Sequence, residues 1–133
     1  MIDNDRLLDY ALAARSLAYA PYSKFKVGAA ILLKNDKVIT GCNVENASYG
    51  MSMCAERCAL FKMISEGYTK DDVISMVVVG DTEDPISPCG ACRQVMDELL
   101  NKDTKIILAN IKRETKEFSV KDLLPYSFTS KDL

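Results

Sequence analysis

The run Val73-Ile74-Ser75-Met76-Val77-Val78-Val79-Gly80 is a β-branched apolar segment, and it reads as an interior strand that stops at its glycine. Asp81 to Pro88 follows as a loop with two prolines. Gly90 to Leu100 then has the spacing of an amphipathic helix, and Lys105 to Ala109 is a second apolar strand. A strand, a helix and another strand in succession predict an α/β domain, with helices covering a mostly buried sheet.

Working outward in both directions extends the pattern. Leu7, Leu8, Ala11, Leu12, Ala14 and Leu17 recur at helical spacing and predict a helix over Asp3 to Ala18, ended by Ala20-Pro21-Tyr22-Ser23. Val27 to Leu33 reads as a buried strand, Asn35-Asp36 as a turn, and Lys37 to Cys42 as the returning strand of a hairpin. Val44 to Met53 has no period and is expected to be loop. Cys54 to Glu66 has helical spacing through Ala55, Cys58, Ala59, Phe61, Met63 and Ile64, and Gly67 stops it. Lys116 to Ser119 is a short edge strand, and Ser119 with Asp122 forms a capping box for a last short helix through Leu124. No repeat, linker or low-complexity segment interrupts residues 1–133, so one domain is expected.

Composition narrows the chemistry. Hydrophobic residues are 48 % of the 133, enough for a real core. Seventeen basic residues stand against 19 acidic ones, a net charge of −2 with no basic cluster, which argues against a polynucleotide ligand and for a small, uncharged substrate. Met1 to Tyr10 does not read as a signal peptide, and no apolar stretch approaches the ~20 residues that span a bilayer. A cytoplasmic setting is expected. There metal binding or catalysis explains closely spaced cysteines better than disulfides do. The chain has five cysteines and no histidine. Ser-His-Asp and Cys-His catalysis are therefore excluded, as are His-liganded zinc sites.

Two cysteine groups stand at predicted helix starts: Cys54-Ala55-Glu56, and Pro88-Cys89-Gly90-Ala91-Cys92. Helix N-termini favour thiolate over thiol. Two such starts facing each other would place three thiolates around one Zn²⁺ and leave an open fourth position, the mark of a catalytic zinc. Arg57 is suited to donate to the cysteine sulfurs and offset their charge. A thioredoxin-like redox site would explain Cys89 and Cys92 but not Cys54-Ala55-Glu56. A zinc ribbon would need a second Cys-x-x-Cys, which Cys42, Cys54 and Cys58 do not supply. Cys42 and Cys58 read as small buried hydrophobes.

The two motifs match, in order and spacing, the signature of zinc nucleobase deaminases, in its three-cysteine form. With Ala20-Pro21-Tyr22-Ser23-Lys24-Phe25-Lys26-Val27-Gly28-Ala29, Asn43 through Gly50, Arg57, Ser87 through Gln94 and Leu123 through Phe128, nearly the whole chain resembles the small homotetrameric cytidine deaminases. Cys58 departs from the many members that carry Thr there. The resemblance implies a three-layer α-β-α sandwich around a central mixed five-stranded sheet. It also implies hydrolytic deamination of cytidine and 2′-deoxycytidine to uridine and 2′-deoxyuridine, with release of ammonia in pyrimidine salvage.

Residue by residue, the resemblance assigns one zinc per chain to Cys54, Cys89 and Cys92, and general acid/base work to Glu56. Asn43 and Glu45 take the ribose, Phe25 packs on the nucleoside, and Ala55 joins the substrate pocket. Ala47, Tyr49 and Phe128 reach the pocket of a neighbouring subunit in a homotetramer with shared sites. Three alternatives stand against this assignment. A blasticidin-type deaminase has a different loop before its metal. A polynucleotide-editing deaminase fits neither the small size nor the absent basic patch. A zinc-stabilised binding module would carry no chemistry.

Overall fold

The computed structural model describes residues 1–133. Four helices, α1 (Asn4–Arg15), α2 (Ala55–Ser65), α3 (Gly90–Leu99) and α4 (Val120–Leu123), accompany five strands, β1 (Val27–Leu33), β2 (Val38–Cys42), β3 (Val73–Gly80), β4 (Lys105–Asn110) and β5 (Thr115–Ser119). The strands form one sheet in the order β2-β1-β3-β4-β5. Only β3 and β4 run parallel. They are the two strands of the run quoted first, joined through α3 because a parallel pair cannot be closed by a tight turn.

The strands' alternation divides the core in two. Ala29 and Ile31 of β1, Met76 and Val78 of β3, and Ile106 and Leu108 of β4 face a cluster completed by Ala59, Leu60 and Met63 of α2, Met96 of α3, and Val120 and Leu123 of α4. Ala30 and Leu32, Val77 and Val79, and Ile107 and Ala109 face the opposite way, onto Leu7, Leu8 and Ala11 of α1. The result is the expected α-β-α sandwich around a mixed sheet.

Close approach fixes where α2 begins. A Cβ on Gly41 of β2 would lie 2.6 Å from the Ala59 nitrogen and 2.7 Å from the Ala55 oxygen, so only glycine lets the first turns of α2 rest on the hairpin. Leu60 and Met63 are fully buried beneath that contact and contribute about 1.5–3 kcal/mol each by leaving water.

Several expectations need correction. The first helix ends at Arg15 rather than Ala18, so Leu17 lies beyond it and is 78 % exposed. On α2 the inward stripe is Ala55, Glu56, Ala59, Leu60 and Met63. Phe61 and Ile64, expected to be inside, point out to solvent. Cys42 and Cys58 are half-buried rather than fully buried. Three short 3-10 turns are not signalled by the sequence pattern: Tyr49–Met51, within the segment expected to be loop, and Lys70–Asp72 and Ser130–Asp132, each of these two with its own capping box. No helix is long and apolar enough to cross a membrane.

Candidate active site

The N-terminal ends of α2 and α3 carry the cysteines. Cys54 is the N-cap of α2, and its carbonyl accepts from Cys58 N at 3.0 Å. Cys89 is the N-cap of α3, and its carbonyl accepts from Arg93 N at 3.0 Å. Cys92 lies in the first turn of α3 and is fully buried. The two helices pack side by side, so residues 35 apart in sequence bring Cys54 Sγ to 3.9 Å from Cys89 Sγ. Cys89 and Cys92 are 3.4 Å apart, and all three sulfurs lie within 4.8 Å of one another.

Those separations can be tested against a metal. Zn–S bonds of ~2.3 Å at tetrahedral angles put neighbouring sulfurs ~3.8 Å apart. The observed spacings bracket that edge, and a thiolate set suits zinc. Sulfur electrostatics agree. Hydrogen bonding from Cys92, followed by Arg57, lowers the Cys54 thiol to about 5. Cys92 is pushed up because it shares its proton with Cys54 and is buried. The proton shared among these thiols is what a divalent ion would displace. Arg57 Nη2 donates to Cys54 Sγ at 3.3 Å, while its buried Nε finds no partner.

Glu56 occupies the second position of α2 and is 4 % exposed. Burial raises its carboxyl above the usual carboxylate range. It enters none of the chain's four ion pairs. A buried, unpaired carboxyl is costly as structure and is therefore suited to moving a proton. It faces a cavity of about 190 Å³ lined by Phe25, Val27, Asn43, Cys54, Ala55, Glu56, Ile86, Ser87 and Cys89. Val27, Ile86 and Ser87 received no role in the sequence. Ile86 and Ser87 lie in the proline loop, where no period marks an inward side chain.

Asn43 and Glu45 take up an arrangement that sequence alone could not show. Asn43 Nδ2 donates to the Phe25 carbonyl at 2.8 Å, and its Oδ1 accepts from Val27 N at 2.8 Å. Glu45 Oε1 accepts from the backbone of Tyr22 and Ser23 at 3.0 and 3.1 Å, and Oε2 accepts from the Ser23 hydroxyl. The hydroxyl's hydrogen bond, followed by that of the Ser23 backbone, holds Glu45 below the usual carboxylate range. Glu45 opens onto a neighbouring depression of about 270 Å³ shared with Tyr22, Ser23, Tyr49 and Ser52. Ala47 and Phe128 line neither space. A larger depression of about 630 Å³ lies among tail residues, including Lys102, Pro125 and Phe128, and contains no cysteine or glutamate.

A family model described as the cytidine and deoxycytidylate deaminase zinc-binding region matches residues 1–109. The chain belongs to this family. The cytidine deaminase of Halalkalibacterium halodurans is 52 % identical over 132 residues, covering 99 % of this chain and 98 % of its own length. The Sporosarcina psychrophila cytidine deaminase is 46 % identical over 132 residues, covering 99 % and 96 %. Among solved structures, the cytidine deaminase from Burkholderia pseudomallei superposes with a TM-score of 0.93 at 50 % identity, covering 96 % of this chain and all of that one. The three-thiol cluster is the one place where the fold can hold the family's zinc through cysteines.

One further residue near the family motif is set by the fold alone. Arg93, the residue after Cys92, donates Nε to the Pro88 carbonyl at 2.9 Å, Nη1 to the Leu123 carbonyl at 2.9 Å and Nη2 to Ser87 Oγ at 2.7 Å. It ties the loop that presents Cys89 to the end of α4. Its partner Leu123 is 30 residues away, so no local pattern announces the contact.

Proposed function

We propose that this chain is a zinc-dependent cytidine deaminase. It would hydrolyse cytidine and 2′-deoxycytidine to uridine and 2′-deoxyuridine with release of ammonia, as a cytoplasmic enzyme of pyrimidine salvage. The observation that carries this reading is the buried Glu56 carboxyl facing a nucleobase-scale cavity whose wall includes Cys54 and Cys89 of the three-thiol cluster. Residues 1–133 act as one domain in this reading, which the relatives' near-complete coverage supports.

Cys54, Cys89 and Cys92 hold the zinc. When bound, that ion supplies the Lewis acidity that makes water a nucleophile near neutral pH. Glu56 takes a proton from the attacking water and delivers it to N3 of the cytosine as oxygen joins C4. It then takes the proton of the new C4 hydroxyl and passes it to the amino group, which leaves as ammonia. Its raised, buried carboxyl suits a group that must both accept and donate. Arg57 offsets the negative charge of the sulfurs through its contact with Cys54. Phe25 and Ala55 form the walls of the base pocket. Asn43 and Glu45 offer a donor and an acceptor to the sugar, since each keeps hydrogen-bonding capacity beyond its contacts with the backbone.

The same reading places Ala47, Tyr49 and Phe128 at the sites of other subunits in a homotetramer. Their exposure is the support: Tyr49 is 77 % and Phe128 59 % exposed, with Phe61 and Ile64 as further uncovered apolar groups.

The test is loss of ultraviolet absorbance with cytidine, 2′-deoxycytidine, blasticidin and a single-stranded oligonucleotide in parallel. Turnover of the two nucleosides alone is expected. Preferential turnover of blasticidin or of the oligonucleotide overturns the substrate assignment, and turnover of none favours a zinc-stabilised binding module.

A further inference from the structure

Ser23 sits in the turn after α1 and has no role in the chemistry above, yet it joins two residues assigned to the nucleoside. Pro21 to Ser23 form a turn, and Lys24 after it takes a positive φ of 62°. The segment from Asn43 to Glu45 runs beside the turn's base: Tyr19 N donates to the Asn43 carbonyl at 3.0 Å, and Glu45 N to the Tyr19 carbonyl at 2.8 Å. The Glu45 carboxylate reaches back over the turn and accepts from Tyr22 N, Ser23 N and Ser23 Oγ. Ser23 Oγ in turn accepts from Phe25 N at 3.0 Å. One hydroxyl thus links the backbone of the aromatic wall to the carboxylate.

Counting lone pairs shows what this linkage does. An ionised carboxylate has about four acceptor sites, two on each oxygen. The two backbone donors occupy Oε1, and the Ser23 hydroxyl occupies one site on Oε2. One acceptor site remains, on Oε2. Asn43 keeps one N–H after its contact with the Phe25 carbonyl. A single sugar hydroxyl, donating to Glu45 and accepting from Asn43, uses both.

We propose that Ser23 is a positioning residue of the sugar subsite: its hydroxyl orients the Glu45 carboxylate so that one Oε2 lone pair meets one nucleoside hydroxyl. The inference rests on the assignment of Glu45 to the sugar made above. Ser23 acts through Glu45 and touches no reacting atom. Without it, Glu45 keeps its Oε1 contacts but pivots about them, and the acceptor site is no longer aimed.

The experiment is steady-state deamination by Ser23→Ala and Ser23→Thr, with cytidine, 2′-deoxycytidine and 3′-deoxycytidine as substrates. Ser23→Ala should raise KM for cytidine about 10- to 150-fold, the scale of one charge-assisted hydrogen bond, with kcat held within about twofold. The rise should shrink to less than about twofold for whichever deoxynucleoside lacks the hydroxyl that Glu45 receives. Ser23→Thr, which keeps the hydroxyl, should restore KM for cytidine. An unchanged KM for cytidine in Ser23→Ala overturns the proposal. So does an equal rise for all three nucleosides, because a residue that merely caps the turn would disturb every substrate alike. Failure of the unsubstituted protein to deaminate any of the three is a different result: it removes the deaminase reading, and the proposal falls with it.

Discussion

Replacing Arg93 with Met tests whether the loop carrying Cys89 is held from outside the cysteine cluster. Met keeps much of the stem and removes the guanidinium with its three hydrogen bonds. Ser87 is exposed and regains water, so its loss costs little. Pro88 and Leu123 are buried, and each carbonyl loses a charged donor at 2.9 Å. Hydrogen bonds to charged groups contribute about 1.5–3 kcal/mol, and the half-exposed setting of Arg93 favours the lower end, so the pair is worth ~3–4 kcal/mol. A domain of this size has about 5–15 kcal/mol in hand, so the variant should still fold. At about 3–5 °C per kcal/mol, the zinc-loaded protein should melt ~9–20 °C lower. Arg93→Lys can recover only part of this, because an ammonium lacks the planar fork that reaches three acceptors at once. Differential scanning calorimetry reads the melting point, and release of zinc to a chelator reads the grip on Cys89. A melting point within about 2 °C of the parent, with unchanged zinc release, would refute this account of Arg93.

Other expectations are more local. Asp97 is 5 % exposed; burial alone would raise its carboxyl, but hydrogen bonds from Lys102 and Ser127 outweigh that and hold it below the usual carboxylate range. A lowered folded value means its stabilisation is full above the unfolded value of ~3.9 and is lost as pH falls through the folded one. Asp97→Asn should therefore cost about 1–3 kcal/mol at pH 7, and urea denaturation should show the gap to the parent closing below about pH 4; a constant gap refutes the pairing as its cause. Phe128→Ala should leave monomer stability within about 0.5 kcal/mol, since the ring is 59 % exposed. Nucleoside affinity should nonetheless fall ~2- to 13-fold, the worth of an aromatic stack, with parent activity declining on dilution; a fully active monomer in light scattering rules the shared site out.

The sheet was legible in the sequence because its central strands are buried on both faces. Val27–Leu33 is an unbroken apolar run and Val73–Gly80 is interrupted only by Ser75, and such runs in a chain this short have few other uses. The final helix was legible through its capping box, Ser119 with Asp122. The inward face of α2 was not. Phe61 and Ile64 are as apolar as Leu60 and Met63, and periodicity cannot tell a face turned to the sheet from one left to solvent. At the site, the cysteines and Glu56 were legible because their spacing is local to two helix starts. The supports of Asn43, Glu45 and Cys89 were not, because Ser23 meets Glu45 across 22 residues and Arg93 meets Leu123 across 30. Such contacts depend on which elements the fold makes neighbours.

The central claim is that Glu56, beside zinc on three cysteines, moves the protons of cytidine deamination. It is tested most directly by measuring zinc content and cytidine turnover together in the parent and in Glu56→Gln. The amide keeps the shape of the buried side chain but cannot accept the proton. One zinc per chain in both proteins, with turnover in the variant at least ~10²-fold lower, is the predicted result. Near-parental turnover by a zinc-loaded Glu56→Gln protein would contradict it.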